Sequence, residues 1–358
     1  MPGFESSLKG RPYGLCKMKT LSRRDFLKLS GLGLAGLMAP PLNFDVDDPF
    51  ELQQGRVTVR TVYLHEKPTA LATKVKLLQR DTIFKITNTA ISEDTDTHNR
   101  IWYQVGDEGY VHSGNIQPVR TTLSQPYTST IPKEGLLAEV CVPYSDAFVE
   151  PNIDSEVGYR VYYETTHWVK AIVAGTSDGL PWYQIRDDKW DELYYVRAEH
   201  LRILTPTELA PISPEVPNRD KKIIVRLDQQ LVIAYEYNIP VFSVPVSTGG
   251  RLRSGTYTTP KGNFTTDYKR PSRHMAAGDI AASGFDLPGV PWVQYITKSG
   301  ISFHGTFWHN DYGRPRSHGC INLSCAAAKW LYLWSSPIVP LEKEFTYGGV
   351  GTKVEIIA

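Results

Sequence analysis

An aromatic pentapeptide that occurs twice constrains this chain more than anything else in it. Ile101-Trp102-Tyr103-Gln104-Val105 returns as Pro181-Trp182-Tyr183-Gln184-Ile185. A second matching pair follows, Gly109-Tyr110-Val111-His112 and Tyr194-Tyr195-Val196-Arg197, and each copy closes on a short apolar segment, Ile116 to Val119 and Leu201 to Leu204. Each copy opens on an alternating run, Val57-Thr58-Val59-Arg60 and Leu137-Ala138-Glu139-Val140. Such self-similarity means that one supersecondary unit is used twice. β-Branched and aromatic residues in short runs, broken by Gly, Asp, Asn and Pro, make that unit a set of strands. Two small β-barrels are expected, at 54–120 and 134–205.

The Trp-Tyr-Gln-Val strand and the Gly-Tyr-Val-type strand near each end resemble bacterial SH3-like domains. That resemblance implies domains that bind wall peptides or pack on a catalytic domain; a rigid spacer without a ligand is the plain alternative. From Thr205 to Pro217 the chain is Pro-rich, which reads as an extended linker over 206–219. A third domain then runs over 220–358. Ile223 to Leu227 and Gln230 to Tyr235 look like strands joined by Asp228-Gln229. Helical spacing is sparse, and the best helix runs from Ser324, a capping residue type, to Trp334.

The chemistry concentrates in Ile301-Ser302-Phe303-His304-Gly305-Thr306 and Arg316-Ser317-His318-Gly319-Cys320-Ile321-Asn322. A thiol is a strong nucleophile only as thiolate, so with an ordinary pKa near ~8.5 it needs a base or a positive dipole beside it. His304 can take the proton of Cys320. A helix beginning at Ser324 would aim its positive end at Cys320. Gly319 permits an unusual backbone angle and would turn its amide, and that of Cys320, toward a developing oxyanion.

These residues closely resemble the catalytic domain of L,D-transpeptidases of the YkuD type: a His in a strand, a variable loop, then S/T-H-G-C-x-N. Val246-Ser247-Thr248-Gly249 and Thr259-Pro260-Lys261-Gly262-Asn263-Phe264 resemble the family's upstream S-T-G…T-P-x-G-x-F. The resemblance implies a mainly β chain: two SH3-like barrels, then a β-sandwich-like catalytic domain with a short helix after the catalytic Cys. It implies Cys320 as nucleophile, His304 as general base and acid, the Gly305 carbonyl as the group orienting His304, and the Gly319 amide as an oxyanion-hole donor. The substrates implied are peptidoglycan stem peptides, donor and acceptor, joined 3→3 through a Cys thioester without cofactor or metal. Water as acceptor would give an L,D-carboxypeptidase, and a protein amine would give wall attachment. His318, Ser317, Asn322, Trp308 and Arg316 are the candidate substrate contacts. For Asn322 loop fixing is the stronger reading, and for Trp308 core packing is as good. Arg273-His274 and Trp292 fall in the variable lid region, Thr265 to Trp292, where a solvated loop is the safer expectation.

Competing readings carry less. A zinc site drawn from His304, His309, His318, Cys320 and Cys325 fits no standard tetrahedral spacing. A papain-like endopeptidase places Cys before His in the chain, the reverse of the order here. A wall-binding protein with a dead catalytic domain would lack Cys320 or His304, and both are present. Cys141 and Cys325 read as packed thiols. Lys and Arg number 39 against 38 Asp and Glu, so phosphate-seeking clusters, and with them nucleic acid, gain no support. Ser22-Arg23-Arg24-Asp25-Phe26-Leu27-Lys28, followed by the apolar run Leu29 to Ala39, resembles a twin-arginine export signal over 1–40. It implies an extracytoplasmic protein whose contact with the membrane is this segment, if uncleaved.

Overall fold

Both repeats fold into seven short strands with the same spatial order. The first uses Gln54–Val57, Thr61–His65, Lys74–Gln79, Ile83–Ile91, Ile101–Val105, Gly109–His112 and Ile116–Val119. The second uses Leu136–Val140, Tyr144–Phe148, Val157–Tyr162, Thr166–Ala174, Pro181–Asp187, Glu192–Arg197 and Leu201–Ile203. In each sheet the order is third, second, sixth, fifth, fourth, first, seventh. The repeated aromatic strand sits at the centre of both and pairs with the Tyr-Val strand, Trp102 opposite His112 and Trp182 opposite Arg197. Each copy encloses its own apolar core, around Val57, Leu64, Val111 and Ile116 in the first and Val140, Val161, Ile185 and Val196 in the second.

This computed structural model describes residues 53–252, 255–278 and 284–358, all within the unit Asn43–Ala358. The signal-like segment and Cys16 lie outside the described residues.

The third domain is a two-layer β structure. One five-stranded sheet runs Ile239–Pro245, Leu231–Glu236, Lys221–Arg226, Lys353–Ile357, Gly262–Thr265; the other runs Ile321–Leu323, Ser302–Gly305, Phe285–Tyr295, Tyr268–Ala277, Thr346–Tyr347. One core cluster joins both sheets, through Val225, Val232 and Ile356 on one side and Phe303, Ile321 and Leu323 on the other. The single described α-helix, Cys325–Trp334, packs into that core through Ala328 and Leu331. Ser324 caps it by accepting from the Ala327 amide at 3.3 Å. At its other end two buried ammonium groups meet the last carbonyls, Lys269 on Tyr332 at 2.6 Å and Lys221 on Trp334 at 2.9 Å. Cations there satisfy orphan carbonyls and oppose the negative end of the helix.

The Pro-rich segment is not the extended linker expected from its composition. Leu209 and Ile212 pack against the third domain's core, the Ile212 amide donates to Leu333, and the Ile212 carbonyl accepts from Lys221. Proline stiffens a chain but does not stop its neighbouring leucine and isoleucine from burying apolar surface. Leu137 and Trp168 of the second copy join the same core cluster, so that copy and the third domain share an interior.

Candidate active site

The register of two parallel strands builds the site. Phe303 lies opposite Ile321 and His304 opposite Asn322. Strand residues alternate faces. Phe303 therefore enters the core, while Ser302 and His304 share the other face, on the side of Cys320.

The Cys320 thiol is half-buried, donates to the Gly300 carbonyl at 3.8 Å, and lies near enough to the His304 imidazole for that ring to favour its charged form. Nδ1 of His304 donates to the Gly305 carbonyl at 2.9 Å, which leaves Nε2 as the basic nitrogen. Burial alone would push the thiol up. The hydrogen bond and charge of His304, with help from the Ser302 hydroxyl (3.7 Å) and amide, bring it below its ordinary value. Hydrogen bonds to the charged form favour that form. The other two described cysteines behave in the opposite way. Burial lifts Cys141 to about 11 and Cys325 well above the usual thiol range.

Gly305 is needed for space. A Cβ there would lie 2.7 Å from Pro291 Cγ and 3.1 Å from Cys325, so a side chain would displace the carbonyl that holds His304. Gly319 is needed for its backbone angle, φ +117°.

Several sequence expectations are corrected. The helix does not polarise Cys320. Its first residue packs behind Gly305, at the far end of Ile321–Leu323 from the thiol. Three extended residues span about 10 Å, and a helix end loses its influence beyond its first turn. The Gly319 amide is not an oxyanion donor either, because it donates to Ser317 Oγ at 3.0 Å. Cys320's own amide remains the candidate. Ser317 is buried and donates a hydrogen bond to the Cys320 carbonyl, so it ties the loop rather than touching substrate. Asn322 is buried, its side-chain amide 3.1 Å from His309 Nε2, and it fixes the loop. Arg316 is held by Asp311 at 2.7 Å and by Asn115 of the first copy at 3.3 Å. In the lid hairpin, Arg273 and His274 are paired with acids of the second copy, and Trp292 is fully buried.

Of the remaining candidate contacts, one stands beside His304 and the other faces the lid region. Trp308 is half-buried, its ring 5.6 Å from that of His304. His318 is exposed between the rings of Tyr257 (4.5 Å) and Phe285 (5.4 Å), and partial burial lowers its pKa.

The upstream motifs form the floor of the loop. Ser247 exchanges backbone hydrogen bonds with Asn322, and the Thr248 carbonyl accepts from Arg316 and Ser317. Thr259 Oγ1 donates to the Gly319 carbonyl at 2.7 Å. Sequence reasoning gave no role to Ser302, although its place two residues before His304 marks the shared face. His309 lies in the loop after His304, is buried, accepts from the Asp311 amide at 3.2 Å, and is driven down to about 3 by burial.

Asp311 is a larger omission. Its buried carboxylate binds Arg314 (2.5 Å) and Arg316 (2.7 Å) from its own loop, and His98 (3.0 Å) and Asn99 (3.4 Å) from the first copy. Burial would raise this acid, but those cations hold it below the usual carboxylate range. Only the chain's tertiary course brings these groups together.

Residues 220–356 match the YkuD family, the L,D-transpeptidase catalytic domain. Among solved structures, an L,D-transpeptidase from Mycobacterium smegmatis is 23% identical over 39% of this chain and 59% of its own, with a TM-score of 0.32. One from Xylanimonas cellulosilytica is 26% identical over 38% of this chain and 60% of its own, TM-score 0.28. The catalytic domain of the Enterococcus faecium L,D-transpeptidase is 22% identical over 38% of this chain and 97% of its own, TM-score 0.30. The chain thus spans about three fifths of the first two. No curated protein matches.

Proposed function

We propose, from the L,D-transpeptidase catalytic domain at 220–356, that this protein is an exported cysteine transpeptidase that cross-links peptidoglycan stem peptides 3→3. The observation that carries the reading is the Cys320 thiol lowered by an imidazole whose Nδ1 is anchored on a backbone carbonyl. Export rests on the paired arginines ahead of an apolar run.

In the first half-reaction His304 takes the thiol proton, and the Cys320 sulfur attacks the carbonyl that follows the L-centre of the third stem residue. The oxyanion faces the Cys320 amide. The amide C–N bond breaks, the departing D-residue's amine takes the proton from His304, and a thioester remains. In the second half an amine of another stem attacks the thioester carbonyl. His304 removes the amine's proton and returns it to the leaving sulfur. This is covalent catalysis by an activated thiol. Ser302 stabilises the thiolate before it attacks and again as it leaves the thioester.

The test is mass spectrometry of muropeptides made from a defined tetrapeptide substrate. Native protein is expected to yield dimers and Cys320→Ala none. A carbapenem is expected to add once, at Cys320 and not at Cys141 or Cys325. Dimer formation by the alanine variant removes the nucleophile assignment.

A further inference from the structure

Both copies and the third domain meet around a cavity of about 360 Å³ that the chemistry above leaves unused. Its size and its place between domains are those of a ligand site. The second copy contributes Tyr159, Tyr162 and Trp190, the first copy contributes Arg80, and the third domain contributes Trp308. The walls are rigid. Tyr162 is stacked on Phe307 (5.1 Å between centroids), the Arg56 guanidinium lies 4.1 Å above its ring, and Tyr159 packs edge-on against Tyr194 at 4.8 Å.

The charges around it are unequally used. Arg160 is bound by Asp146 and Asp81, Arg56 by Asp81, and Lys189 by Asp286. Arg80 is exposed and has no carboxylate partner among the described residues. Trp190, which lines the same cavity, is 68% exposed. An unpaired guanidinium among aromatic faces suits a peptide that carries a carboxylate. Trp308 is shared: it lines the cavity and stands 5.6 Å from His304.

We propose that this three-domain cavity holds the acceptor stem peptide, its carboxylate on Arg80 and its backbone against the aromatic walls. The inference rests on the transpeptidase reading. A reaction with two peptide substrates needs two sites, and the donor must lie over Cys320. A diamino-acid side chain reaching past Trp308 presents its amine to the thioester beside His304. The repeats would then supply the site of the second substrate.

The test separates the half-reactions in full-length protein carrying Arg80→Ala with Trp190→Ala, and Arg80→Lys as the conservative variant. Carbapenem acylation is expected to stay within about twofold of native. The dimer-to-hydrolysis ratio at limiting acceptor should fall by about tenfold or more, as loss of one charge-assisted hydrogen bond implies. The acceptor KM should rise, with partial recovery in Arg80→Lys. An unchanged ratio overturns the proposal, as does a parallel fall of acylation and transfer. A native enzyme that acylates but passes its acyl group only to water overturns the acceptor site and leaves Cys320 as nucleophile. Absence of acylation in the native enzyme overturns the transpeptidase reading itself.

Discussion

The two repeats share a strand order and differ in what they hold. The first meets the loop that joins His304 to Cys320. His98 and Asn99 bind Asp311, Arg56 donates to the Phe307 carbonyl at 2.6 Å, Tyr103 accepts from Asn310, and the Gly114 carbonyl accepts from the Asn310 amide. The second meets the lid hairpin and the core. Asp188 binds Arg270 and Arg273 at 2.6 Å each and the His274 amide at 2.7 Å, while Asp187 and Asp286 bind the two ring nitrogens of His274. Duplication copied a fold, and the faces of the two copies diverged into a clamp on the catalytic loop and a clamp on the lid. The first holds the Asp311 carboxylate, and the same residue's backbone amide starts a short path to the reacting groups: it donates to His309, His309 meets the Asn322 side chain, and Asn322 lies opposite His304 in the ladder.

Removing Asp311 should have the largest effect. Asp311→Ala strands the half-buried Arg316, and removing one partner of such a buried pair costs roughly 3–5 kcal/mol. Carbapenem acylation is expected to fall by at least about a hundredfold, with chemical denaturation reporting the stability. Near-native acylation would show that the loop keeps its shape without the first copy. Asp188→Ala should cost stability of a similar order, but change acylation by less than about tenfold, because Asp188 holds the lid hairpin and not the loop that joins His304 to Cys320. Equal losses of acylation in the two variants would erase the contrast.

Acidity should separate the sides by a smaller amount. His309 is neutral in the fold with a pKa of about 3, below the ordinary value near 6.5. The unfolded chain binds the extra proton between those values, so this contribution is lost as pH falls from about 6.5 toward 3. On the second copy Glu164 lies against Cys325, and burial lifts its carboxyl to about 7. Its native form holds a proton that the unfolded chain releases from about 4.5 upward, so stability is lost as pH rises through about 7. Glu164→Gln should therefore stabilise the protein above neutrality by roughly 1–3 kcal/mol, read as a melting shift that vanishes at pH 4. A shift of equal size at both pH values would contradict a buried, protonated Glu164.

Local signals in the sequence determined much of this protein. The twice-used aromatic strand marked two β copies, Ser324 marked the start of the helix, and the Ser-His-Gly-Cys turn with His304 marked the reactive pair, because each depends on residues near one another in the chain or on a pattern carried whole. The tertiary structure alone decided that Ser317 and Arg316 tie the loop, that the helix end is too far from Cys320 to help it, and that Asp311 joins the first copy to the site. Those facts rest on pairs such as His98 with Asp311, some two hundred residues apart. A side chain's partner across that separation is set by how whole sheets pack, and no propensity or spacing along the chain encodes it.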